Sequence, residues 1–166
     1  MTISAWVNIT SPQGNGSIVM DNGYKSGWPN AGASGAYFFA VDGLYNHLYF
    51  VRGNGSNRIV DYQVSVPLSV NTWNHVAVSA GSNGSGNFAR LYFNGVEVGS
   101  TNYSGSSVVG GVAYLGGNDY IAIDYLGGVM DEAIILNRSL SAGEIGSLYN
   151  ASATQYSRNF TNLSDG

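Results

Sequence analysis

Residues 72–99 read TWNHVAVSAGSNGSGNFARLYFNGVEVG, and this stretch decides the fold. It predicts a strand, a Gly/Ser/Asn turn, a second strand, a tight turn at Asn94-Gly95 and a third short strand. Asn-Gly is the strongest short-range signal for a two-residue hairpin, because both positions tolerate positive φ. The stretch is therefore a meander. Residues 127–149, GGVMDEAIILNRSLSAGEIGSLY, predict one more strand, a turn and a single short helix. In that helix Ile145, Leu148 and Tyr149 recur at helical spacing. Ser141 precedes it with Glu144 three residues on, the pattern of a capping box.

Outward from the meander, the same period-2 pattern recurs in short runs. Residues 2–8 (TISAWVN) set Ile3, Ala5 and Val7 on one face and Trp6 on the other. Residues 15–21 form a second strand, and residues 36–42 and 46–52 a hairpin over Gly43. Residues 58–64, 112–116 and 129–136 complete the set. Residues 66–71 are a turn, where Pro67 excludes a central strand position. About ten short strands between Gly-rich turns, with one helix, predict an all-β sandwich or barrel.

Composition agrees. A chain of 166 residues suits one domain with a sizeable core. Twenty-four Gly and 12 Tyr against only 10% charged residues favour strands and turns. A net charge of −4 with six basic residues excludes a nucleic-acid partner. No apolar run reaches the length of a membrane span. With no cysteine, disulfides and zinc–thiolate sites are excluded.

The order and spacing of these segments resemble the laminin G-like branch of the concanavalin A-like lectin/glucanase superfamily. The matching residues are Trp73, His75, Val76 and Ala77; Leu91, Tyr92, Asn94 and Gly95; Gly128, Asp131 and Glu132; and Leu140, Ser141, Glu144 and Ile145. The resemblance implies a two-sheet antiparallel jelly-roll sandwich with curved sheets over residues 1–149. Relatives usually carry a further strand before TISAWVN, and its absence predicts an open sheet edge. Residues 150–166 read as a tail, a linker or the opening of an immunoglobulin-like repeat. The chain is thus expected to be a segment of a longer surface protein. The tail is a candidate to cover the open edge, in its own chain or in a neighbour by self-association.

Candidate chemistry is sparse. Glycoside hydrolysis needs two carboxylates flanking the bond. The three Glu are Glu97, Glu132 and Glu144, and none sits in a period-2 acidic run. Asp131 and Glu132 are adjacent, so a regular strand points them to opposite faces. His47 and His75 lack a cysteine or a nucleophile elbow as company. His75 is expected to be structural. The reading is a non-enzyme. The resemblance implies a structural calcium ion with Asp131 as a ligand, since calcium takes six to eight oxygens. A weaker calcium candidate is the loop holding Asn118, Asp119 and Asp124, with Asp21, Asp42 and Asp61 as candidates to approach it.

Sugar recognition needs aromatic platforms flanked by amides and carboxylates. Trp28, in SGWPNAG, is the foremost candidate, joined by Tyr24, Tyr120, Asn118 and Asp119. Tyr45, Tyr103 and Tyr125 also fall in loops or at strand edges, whereas Trp6 and Trp73 are expected in the core. Asn-x-Ser/Thr occurs at Asn8, Asn15, Asn54, Asn83, Asn102, Asn137, Asn150, Asn159 and Asn162. Chance gives roughly three, so the excess points to a glycosylated extracellular or cell-surface protein. Three functions stay open: a carbohydrate-binding or adhesion module that takes glycans or a surface or matrix protein, a self-assembling spacer, and an accessory domain of a larger glycan-active enzyme.

Overall fold

The computed structural model describes residues 1–11, 17–22, 37–42, 45–107, 112–117 and 125–157. Ten strands and one helix make up the described chain: β1 (Thr2–Ile9), β2 (Ser17–Asn22), β3 (Tyr37–Asp42), β4 (His47–Gly53), β5 (Arg58–Ser65), β6 (Trp73–Ser82), β7 (Asn87–Phe93), β8 (Val96–Tyr103), β9 (Ala113–Leu115), β10 (Gly128–Leu136) and α1 (Ala142–Ser157). Five strands form sheet A in the order β10-β1-β6-β7-β8, and five form sheet B in the order β5-β4-β3-β2-β9. All pairings are antiparallel. This is the expected jelly-roll sandwich.

Strict alternation builds the core. Ile3, Ala5, Val7 and Ile9 from β1 meet Val76, Val78 and Ala80 from β6 on the inner face of sheet A. Phe39, Val41, Leu48, Phe50 and Val60 fill the inner face of sheet B. The Asn94-Gly95 turn forms as expected, with φ of 48° and 79°. It also packs on the helix: a Cβ at Gly95 would lie 2.9 Å from the Tyr149 ring.

β1 is an interior strand, paired with β10 on one side and β6 on the other. Among the described residues the edge strands of sheet A are therefore β10 and β8. A bulge interrupts the β1–β10 ladder: Ser4 faces Ile134 and Trp6 faces Asp131, so β10 carries one extra residue. Glu132 sits there with φ 47°. The regular alternation expected for Asp131 and Glu132 fails at this bulge, because the extra residue resets the pleat.

The helix differs most from expectation. It runs to Ser157 rather than ending near Tyr149. Residues 150–157, NASATQYS, have weak intrinsic helix propensity. Docking decides instead: the second half of α1 lies over the outer face of sheet A, where Trp6 stacks on both Tyr149 and Tyr156 with ring centroids 5.5 and 4.4 Å apart. Tyr156 thus sits on a helix packed against its own domain, and the extended tail expected from residue 150 begins no earlier than residue 158.

Candidate functional site

The two outer faces of the sandwich differ. On sheet A, α1 covers Trp6, His75, Ala77 and Tyr92, forming a second small core with Leu140 and Ile145. On sheet B, the residues between core positions point outward. Because Leu48 and Phe50 are in the core, His47, Tyr49 and Val51 face out. Registration then aligns three outward rows: Asp42, His47 and Ser65; Ala40, Tyr49 and Gln63; and Phe38, Val51 and Asp61.

Tyr49 is the centre of this face. Burial pushes its phenol pKa up, and the nearby charges of Asp42 and Asp61, with Tyr45, push the same way. The His47 ring meets Tyr49 edge-on at 5.9 Å. The Asp42 carboxylate accepts the Tyr45 backbone N–H at 3.0 Å, which fixes the start of the β3–β4 connection. Tyr45 itself is 66% exposed. Asp61 pairs with Arg58. Ala40, Val51 and Asp42 on this face are buried, whereas Tyr49 is half-buried with the exposed Asp61 and Gln63 beside it, so the ring offers a stacking edge with two acceptors open to a ligand. Tyr49 is not one of the loop aromatics that the sequence singles out. The alternation of 47, 49 and 51 against core Leu48 and Phe50 was the available signal.

A cavity of about 150 Å³ lies between α1 and sheet A, lined in part by Ser4, Trp6, His75, Glu132, Leu148 and Ser152. His75 is 1% exposed, and burial pulls its pKa down to about 4, so the ring is neutral. Its Nε2 is 2.8 Å from Ser4 Oγ, and Trp6 lies edge-on to it at 5.4 Å. His75 is packed and bonded locally, as expected.

The foremost sequence candidates, Trp28, Tyr24, Tyr120, Asn118 and Asp119, lie outside the described residues. So does Asp124. Asn22 and Tyr37 bound the segment with Tyr24 and Trp28, and Gly116, just before the segment with Asn118 and Asp119, donates to Val19 of β2. Of the sequons, Asn54, Asn83, Asn102, Asn137 and Asn150 are exposed. Asn8 lies in an interior strand with its side-chain oxygen buried, and Asn15, Asn159 and Asn162 lie outside the described residues.

Asp131 is exposed, and its Oδ1 accepts the Glu132 N–H at 2.7 Å. Tyr156 Oη lies near this carboxylate without a hydrogen bond of normal geometry; burial, then the two acidic neighbours, push its pKa up. Among the described residues no group of three His, Cys, Asp or Glu side chains gathers to hold a metal.

A laminin G-type family model matches residues 1–146, and the chain belongs to the concanavalin A-like lectin/glucanases superfamily. A comparison with curated protein sequences returns no match. Among solved structures, the chain is similar to the CBM40 of the Ruminococcus gnavus IT-sialidase bound to α2,3-sialyllactose, with TM-score 0.67, 16% identity, and coverage of 89% of this chain and 81% of that one. It is also similar to domain 4 of a GH43 extracellular arabinanase from Geobacillus stearothermophilus in complex with arabinotriose, with TM-score 0.60, 17% identity, and coverage of 89% and 65%. The receptor-binding domain of botulinum neurotoxin type G gives TM-score 0.60 at 15% identity, with coverage of 91% and 38%. The chain therefore spans under two fifths of that toxin domain. At these identities the likeness is one of fold.

Proposed function

We propose that this chain is a non-catalytic carbohydrate-binding module of a glycosylated extracellular protein, and that the outer face of sheet B holds the saccharide. The observation that carries this is Tyr49, set among Asp42, Asp61 and Tyr45 on the outer sheet face that α1 does not cover. The apolar face of a pyranose stacks on the ring, and the exposed Asp61 carboxylate and Gln63 amide accept its hydroxyls. Two structures of the same fold, by their descriptions, hold sialyllactose and arabinotriose, which supports the reading. The exposed sequons at Asn54, Asn137 and Asn150 support an extracellular, glycosylated setting.

A glycan array probed with the isolated chain tests this reading, followed by titration of each retained glycan against Tyr49→Ala. Retention of a glycan that Tyr49→Ala loses is the expected result. An array with no retained glycan overturns it.

A further inference from the structure

The geometry points to a second saccharide subsite, distinct from the outer face of sheet B, that takes an uncharged, hydroxyl-rich ligand. It is a cleft of about 400 Å³ where the β6–β7 turn meets the end of β8. Asn83, Ser85, Asn87, Asn102, Tyr103 and Ser104 line it. It shares no lining residue with the Tyr49 face. The inference extends the saccharide-binding reading above and rests on the same chemistry.

Three features make the cleft a prepared site. First, its frame is fixed. Asn87 and Tyr103 are register partners, and the Asn87 Nδ2 donates to Gly105 O at 2.7 Å. The turn is closed by Asn83 N donating to Gly86 O at 3.1 Å and by Ser85 N donating to Asn83 Oδ1 at 3.2 Å. Second, Tyr103 is held from behind. Arg52 Nη1 donates to Tyr103 Oη at 2.8 Å, and the second guanidinium nitrogen binds Ser107 Oγ. A ring anchored in this way loses little rotamer freedom on binding, which is the benefit of preorganisation.

Third, the lining is amide- and hydroxyl-rich and open: Asn83, Ser85, Asn102 and Ser104 are exposed, and Asn87 lies between them. These groups supply donors and acceptors in one small space beside an aromatic wall. Apart from the Tyr103 phenol, the lining has no ionisable group. A charged sugar would lose hydration there without gaining a counter-charge in the cleft, whereas neutral hydroxyls exchange water for amide partners at little cost.

The test is an amide NMR titration with lactose, arabinotriose and 3′-sialyllactose. The subsite requires Asn83 and Asn102 to stay unglycosylated although both sit in exposed sequons, so the titrated protein is made without N-glycosylation, and a glycan found on either by mass spectrometry of the secreted protein overturns the subsite. It carries Tyr49→Ala, so that the sheet B face is silenced. Saturable shifts at amides 83–87 and 102–105 with a neutral sugar are expected. Asn102→Ala should weaken that binding at least threefold, and Ser104→Trp should abolish it by filling the cleft. Both positions are exposed, and an unchanged melting temperature confirms the fold. Tyr103 is left intact because it also packs against the core.

If the wild-type chain shows shifts around residues 45–49 and 61–63 but none at the cleft, the second subsite is overturned and the sheet B reading stands. If 3′-sialyllactose binds the cleft as tightly as lactose, the uncharged class is overturned. No shift at the cleft with any of the three sugars overturns the second subsite, while the sheet B reading is decided separately by the glycan array.

Discussion

Trp6 Nε1 donates a hydrogen bond to Ser152 Oγ at 2.9 Å, joining β1, on the outer face of sheet A, to the second half of α1 across 146 residues. The indole is 3% exposed, with Tyr149 and Tyr156 stacked on it. This contact explains why a segment of weak helix propensity stays helical. Helix formation in proteins is driven more by docking than by propensity. Trp6→Ala should therefore destabilise the chain by about 3–5 kcal/mol. Ser152→Ala should cost about 1–3 kcal/mol, the penalty for leaving the indole N–H buried and unpaired. Urea unfolding at fixed pH measures both, and a loss under 1 kcal/mol for Trp6→Ala would contradict the docking argument.

Ending the chain at residue 149 removes Ser152 and Tyr156 while keeping Tyr149. The melting temperature should fall, because Trp6 loses its hydrogen-bond partner and one of its stacked rings. An equally stable truncated chain would show that the second half of α1 is dispensable.

Stability should depend on pH through His75. In the unfolded chain this imidazole protonates near its ordinary 6.5, but in the fold only near about 4. Between those values the unfolded state binds more protons, so stability falls as the pH falls. The loss accumulates at about 1.4 kcal/mol per pH unit, to about 3 kcal/mol by pH 4. Above pH 6.5 the contribution is flat. Glu144 acts in a lower window: the Ser141 N–H, then Arg138, hold its carboxyl down to about 2, so its stabilisation is lost only as pH drops below about 4.5. Urea midpoints from pH 7 to 4.5 therefore report His75, with the Met1 amine, whose pKa burial also lowers from 8.0, adding a loss of the same sign at the upper end. A flat profile there would contradict the buried, neutral imidazole.

The helix start is closed reciprocally. Glu144 N donates to Ser141 Oγ at 3.3 Å, and Ser141 N donates to Glu144 Oε2 at 2.9 Å. Ser141→Ala should lower stability by about 1 kcal/mol, with Ser141→Asp retaining most of it. Equal losses in the two variants would argue against a capping role.

On sheet B, Tyr49→Ala should weaken saccharide binding at least tenfold, while Tyr49→Phe retains stacking and loses less. Calorimetric titration of a glycan retained on the array distinguishes the two. Equal affinity for wild type and Tyr49→Ala would move the ligand off this face.

Much of the fold was legible in the sequence, because its determinants are local. Period-2 alternation in residues 72–99 and 2–8, the Asn94-Gly95 turn and the Ser141–Glu144 cap each act within a few residues. Those signals specified ten strands, their facing and the start of the helix. Three features depended on tertiary structure alone. The length of α1 was settled by Trp6, a residue 146 positions from its partner Ser152. The bulge at Glu132 arose from the register of β10 against β1. The choice of Tyr49 over other tyrosines came from sheet order, which sets β4 beside β3 and β5 and so gathers Asp42 and Asp61 around it. Local pattern gives each strand its faces, but only the packing of the two sheets and the helix determines which outer face is covered and which side chains meet there.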